Sequence, residues 1–197
     1  EDLARFIARS FRNISRSNLA HHLAVFGDAN LARIILRLPS DYDLLVVHDF
    51  FFPEDSDGVE DFLDMSLDSC GRTPLLVSAM HGRHKMIFDY FVSRGANLRA
   101  FDEDGNNVFH LAAQSGSASM IEAAYDRYIF SYRKDGGIAL YNQKNNLGQS
   151  ALMLAIITED LQTVQAILRI SDIDLYVGDQ EKNTALTLAT DSGNESI

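Results

Sequence analysis

The chain has 197 residues, enough for one sizeable domain or a short array of repeats, and its 46% hydrophobic and 23% charged residues are those of an ordinary globular protein. A net charge of −11 argues against broad contact with a phosphate backbone, so no direct nucleic-acid binding is expected and a basic partner is favoured. The single cysteine, Cys70, excludes an intrachain disulfide framework, and no apolar run approaches the roughly 20 residues that span a bilayer. Cysteine usage points to the cytosol or nucleus; the missing initiator Met suggests a fragment, which makes an absent signal peptide weak evidence.

Residues 1–17 read as a basic amphipathic helix, in which Leu3, Phe6, Ile7, Phe11 and Ile14 alternate with Arg5, Arg9, Arg12 and Arg16. It is expected to cap the N-terminal end of the fold; binding of a membrane surface or a calmodulin-type protein is the alternative. Residues 18–67 follow as a degenerate two-helix unit, with Leu23 to Gly27 and then Leu31, Ile34, Ile35 and Leu36 at helical spacing. This unit carries an insertion over 49–68 with eight acidic residues and no Lys or Arg, together with Phe50, Phe51, Phe52 and Phe62. It is either a solvated loop whose phenylalanines plug a gap between units or a segment that docks on the protein itself or on a partner.

From Asp68 onward the chain repeats. DSCGRTPLLVSAMHG, DEDGNNVFHLAAQSG, NNLGQSALMLAIITE and DQEKNTALTLATDSG begin at Asp68, Asp102, Asn145 and Asp179, spaced 34, 43 and 34 residues apart. The units are therefore 68–101, 102–144 with a lengthened connection, 145–178, and 179–197 as the start of another. Asp or Asn followed by Gly marks a tight turn, and Thr73-Pro74 starts a helix with a hydroxyl cap and a proline whose missing N–H costs nothing there. Ala79, Ala112 and Ala113 would let helices of adjacent units approach closely. Ile87, Tyr90 and Phe91, and later Val164, Ile167 and Leu168, form the apolar stripe of a second helix in each unit. Each unit should then be a turn and two antiparallel helices that bury their apolar faces only against neighbours.

The pattern resembles the ankyrin repeat, through GRTPL at Gly71 to Leu75, FHLAAQSG at Phe109 to Gly116, and Gly95-Ala96-Asn97-Leu98 closing a unit. The resemblance implies an all-α ankyrin-repeat solenoid with projecting turn tips, in which His110 hydrogen-bonds neighbouring turns. Over residues 102–193 the chain also resembles the ankyrin repeats of the inhibitors of NF-κB and of Rel precursors. Asn142, Asn145, Asn146, Leu147, Gln149, Ser150, Leu152, Leu154, Ala155, Ile156, Ile157 and Thr158 carry it, with Asn183, Thr184, Leu186, Leu188 and Ala189. Met153 and Thr187 stand where that family has His, and Lys182 where it has Gly.

This second resemblance implies a regulator that masks the basic localisation segment of a Rel/NF-κB-type transcription factor, acting in the cytoplasm or the nucleus. It would place the contacts on Asp102, Glu103, Asp104, Asn145, Asn146, Asp179 and Glu181. The competing expectations are a generic ankyrin scaffold or targeting domain of a larger protein or effector, and an array attached to an enzyme. Asp191 to Ser196 has the D-S-G-x-x-S form of the destruction signals typical of these inhibitors, which makes Ser192 and Ser196 candidate phosphorylation sites. In the repeat alignment the same residues are the turn that ends a helix, and both readings stand at this point.

Other chemistry finds little support in the sequence. His81-x-x-His84 lacks the third and fourth convergent ligands of a zinc site, and a calcium loop over 53–64 would begin with Pro53, which has no ligating side chain. No nucleophile elbow, Walker loop or dinucleotide fingerprint occurs. The expectation is a non-enzymatic protein-binding module without metal or cofactor, monomeric on its own.

Overall fold

A computed structural model describes residues 64, 69–82, 85–93, 95–132, 139–194 and 197. The expected capping helix, nearly all of the degenerate first unit with its acidic insertion, and Ser196 lie outside the described residues.

The elements follow from local sequence. Helix α1 (Pro74–His81) begins where the Thr73 hydroxyl accepts a hydrogen bond from Leu76 N–H, with Pro74 in its first turn, and stops at Gly82, whose φ is 60°. Helix α2 (Lys85–Ser93) returns antiparallel. Helix α3 (Val108–Gln114) is capped by the Asn107 side chain, and α4 (Ala118–Tyr132) is the longest described helix, at 15 residues. A single 3-10 turn, Leu140–Asn142, precedes α5 (Ala151–Ile157), α6 (Leu161–Leu168) and α7 (Ala185–Ser192), which are capped by Ser150, Asp160 and Thr184. In α1, α3, α5, α6 and α7 the hydroxyl, carboxylate or amide oxygen of the residue just before the helix thus accepts from its first-turn N–H groups.

The helices stack in two layers. The inner helices run α1 against α3, α3 against α5 and α5 against α7; the outer ones run α2 against α4 and α4 against α6. Close approach of the inner layer is possible because Ala79, Ala112, Ala113 and Ala155 present only methyl groups, and all four are fully buried. Between the layers Phe88, Phe91, Phe109, Leu111, Met120, Ile121, Leu152 and Ile167 fill a continuous core. The expected second-helix stripe holds for Ile87, Phe91, Val164 and Ile167, but Leu168 is 48% exposed. Ala166 and Thr163 face inward instead, so the buried face of α6 lies earlier on the helix than the stripe suggests.

The lengthened connection after α4 is held by aromatic packing. Tyr141 meets Phe109, Tyr125 and Tyr128 edge to face, with centroids 5.7–5.9 Å apart, and the Asn107 amide donates to the Leu140 carbonyl at 2.8 Å. Burial and the nearby Asp172 carboxylate push the Tyr141 hydroxyl above its ordinary pKa. Among the described residues there is no strand, and no helix is long and apolar enough to cross a membrane. The all-α stacked architecture expected from the repeats is what the structure shows.

Candidate protein-binding surface at the turn tips

The motifs from Asp102, Asn145 and Asp179 each open with a tight turn whose geometry is written in its first residue. Asp102 N–H donates to the Asn106 carbonyl at 3.0 Å, Asn145 N–H to Gln149 at 2.9 Å, and Asp179 N–H to Asn183 at 2.9 Å. In all three turns the first side chain also folds inward over its own loop. Asp102 Oδ1 accepts from Asp104 and Asn106 N–H, Asn145 Oδ1 from Leu147 and Gln149 N–H, and Asp179 Oδ1 from Glu181 and Asn183 N–H, all within 2.7–3.1 Å. The short acceptor at this position thereby satisfies loop N–H groups that a tight turn would otherwise leave unpaired.

Successive tips are joined into a row. Glu103 N–H donates to the Cys70 carbonyl at 2.8 Å, Asn146 N–H to Asp104 at 2.9 Å and Gln180 N–H to Leu147 at 3.2 Å. The tips approach so closely that a Cβ on Gly105, whose φ is +74°, would lie 3.0 Å from the Asn146 nitrogen. Glycine is required there by both the backbone angle and the neighbour. Lys182 occupies the equivalent place in the last turn with φ of 68°.

The seven residues expected to contact a partner divide into two groups. Asp102 and Asn145 are only 6% and 8% exposed, and Asp179 is half-buried. Asp102 also receives Arg72 Nε at 3.3 Å, while the Asn145 amide reaches the Asn106 side chain at 3.0 Å. Glu103, Asp104, Asn146 and Glu181 are exposed along the row of tips. Ser69, Leu147, Gln180 and Lys182 are exposed tip residues absent from the expected set. Leu147, 60% exposed, is the apolar one and stands at the third position of its turn, where the turns on either side carry Asp104 and Glu181.

His110 sits beneath the tips and links them to the helices. Its Nδ1 accepts from Asn107 N–H at 3.2 Å and its Nε2 meets the Gln149 carbonyl of the next unit at 3.0 Å. Nε2, facing a carbonyl, carries a proton, and Nδ1 lies between the Asn107 N–H and the Asn107 Oδ1, the latter 2.8 Å away. Burial outweighs the hydrogen bond to Gln149 and lowers its pKa from 6.5 to about 4. Ser192 is exposed in the last turn of α7, where its hydroxyl donates to the Ala189 carbonyl at 2.8 Å, and Gly193 follows with φ of 65°. The helix-ending turn expected for this stretch is present. Among the described residues no group of three or more His, Cys, Asp or Glu gathers around a metal position.

A stack of capped helix pairs with a hydrogen-bonded row of projecting tips defines a class: a repeat solenoid whose work is protein–protein interaction. The family model for ankyrin repeats (three copies) matches residues 45–135. The chain is 32% identical over 96 residues to the nuclear factor NF-kappa-B p105 subunit of Rattus norvegicus, which covers 49% of this chain and 9% of that protein. It is 31% identical over 106 residues to the phosphocholine transferase AnkX of Legionella pneumophila, covering 54% of this chain and 10% of that protein. It is also 41% identical over 44 residues to alpha-latroinsectotoxin-Lt1a of Latrodectus tredecimguttatus, covering 22% of this chain and 3% of that protein. The matched stretch is thus a tenth or less of each relative's length. Repeat spacing, two-layer helix stacking and the family match over residues 45–135 agree on an ankyrin-repeat fold.

Proposed function

We propose that the row of turn tips binds a basic, extended segment of a protein partner, as an inhibitor-like regulator masking the localisation segment of a Rel/NF-κB-type transcription factor. The observation that carries this reading is the exposure of Glu103, Asp104 and Glu181 on tips fixed in register by backbone hydrogen bonds, in a chain of net charge −11. Carboxylates held on a rigid row steer and orient a Lys/Arg-rich peptide without paying for loop ordering. Similarity to the p105 subunit over half of the chain supports the choice of partner. Asp102, Asn145 and Asp179 act in this reading through the turns they hold, and Glu103, Asp104, Asn146 and Glu181 touch the partner. Such a regulator works in the cytoplasm or the nucleus as a monomer, and Ser192, exposed at a helix end, is the residue through which phosphorylation would act.

The similarity to AnkX supports a second reading, in which the array is the targeting or scaffold domain of a larger protein or effector with an unrelated partner. Titration calorimetry of this chain against a Rel-homology dimer, with and without its basic segment, decides between them. Affinity that falls with salt, is lost without the basic segment, and drops about tenfold in Glu103→Lys/Asp104→Lys with an unchanged helical signal supports the first reading. No binding at low salt removes the Rel-type partner and leaves the scaffold.

A further inference from the structure

The third residues of the three turns share one backbone environment: Asp104, Leu147 and Glu181 each donate their N–H to the side chain that opens their turn. All three are exposed, Leu147 by 60%. A lone exposed leucine needs no explanation. This one stands in a hydrogen-bonded row between Asp104 and Glu181, which carry carboxylates at the same position of their turns. The row is thus acidic, apolar, acidic, with its weaker end at Glu181, where Lys182 stands alongside.

The spacing of the row follows from its hydrogen bonds. Within each turn two backbone bonds tie the two legs together, and one further backbone bond joins each turn to the next. Equivalent residues of neighbouring turns therefore lie two inter-strand distances apart, about 10 Å. A segment in the polyproline-II form rises about 3.1 Å per residue and turns once every three residues, so side chains three residues apart lie on one face and match that step.

We propose that the tips select an extended segment in which one apolar residue is flanked, three residues away on either side, by basic residues, with Leu147 receiving the apolar side chain and Asp104 and Glu181 the charges. This deepens the reading that the tips bind a basic segment and rests on it. It adds a sequence rule: basic residues alone, or an apolar residue in another register, bind less well.

The test uses the 197-residue chain and three nine-residue probes in NMR titrations. Lys-Arg-Gly-Ser-Leu-Gly-Ser-Lys-Arg has the proposed spacing, a second peptide replaces its Leu by Ser, and a third moves the Leu next to the first basic pair. The first peptide should bind about fivefold tighter than the other two, with shifts at residues 103–104, 146–147 and 180–181, and Leu147→Ser should abolish the preference. Leu147 is exposed and its link to Gln180 is through the backbone, so this variant leaves the turn intact. Equal affinity of all three peptides overturns the spacing rule; if that binding is still lost in Glu103→Lys/Asp104→Lys, the acidic-tip reading survives without it. Absence of binding by all three overturns both.

Discussion

The unit that begins at Asp102 and the one that begins at Asp179 obey the same local rules and reach opposite outcomes in packing. Both open with an acid-led turn, both cap the following helix from the residue just before it, and both have a positive-φ glycine close behind that helix, Gly193 directly and Gly116 one residue past the Ser115 cap. In the first unit Phe109 and His110 are completely buried, whereas Leu186 and Thr187, their counterparts, stand in the open, Leu186 by 72%. The difference lies in the neighbours: α3 is flanked by α1 and α5, while α7 packs against α5 on one side. Capping and turn chemistry are properties of a single unit, and burial is a property of its place in the stack.

The largest expected effect puts that contrast to a direct test. Phe109→Ala removes a fully buried ring that also packs against Tyr128 and Tyr141, and should cost about 4 kcal/mol in urea unfolding followed by circular dichroism. Leu186→Ala removes a mostly exposed side chain at the matching repeat position and should cost under about 1 kcal/mol. Comparable losses would mean that the last helix is covered in solution as fully as the interior ones.

The same division explains what could be read in the sequence. The turns, the Thr73 cap and the close-packed Ala79, Ala112 and Ala113 are legible, because each depends on a few adjacent residues with fixed chemistry. Exposure of the tip residues is legible only in part. The sequence does not separate Asp102, Asn145 and Asp179 from their exposed neighbours, and only the structure shows their side chains folded into their own turns. An acidic residue at a tip serves equally well as a turn former or a partner contact, and composition does not separate these uses. Leu168 failed for a related reason: the helical stripe locates a face but not where the next helix stops covering it.

Acidity gives a second, intermediate effect confined to the interior unit. With its folded-state pKa near 4, His110 binds fewer protons in the folded chain than in the unfolded one, where the ordinary value is 6.5. Between those limits stability must rise with pH. It should be fully present above 6.5 and fall by about 3 kcal/mol as pH drops to 4, with no further loss from this group below that. The last unit has Thr187 at this position and the one before it a buried Met153, so neither contributes such a dependence. Chemical denaturation across pH 4–7 should show the slope in the unaltered chain, and His110→Met should flatten it; a slope unchanged in that variant would assign it to carboxylates elsewhere.

The smallest effects concern two places where later units depart from the pattern while keeping its backbone. The turns between paired helices place Gly82 and Gly116 at φ of 60° and 64°, and Glu159 takes the same role at 56°. The tips place Gly71, Gly105 and Gly148 at 71–78°, and Lys182 follows at 68°. Side chains with a Cβ are strained in this region, so Glu159→Gly and Lys182→Gly should each stabilise by about 0.5–1 kcal/mol, the relief of strain being partly offset by the freedom glycine gains in the unfolded chain. Lys182→Gly has a further consequence, because it removes a cation beside Glu181. If the tips bind a basic segment, this variant should bind it somewhat tighter as well as fold more stably, while Glu159→Gly should change stability alone. Equal shifts in affinity for both variants would trace the gain to rigidity of the array and sever the link between charge at the tips and binding.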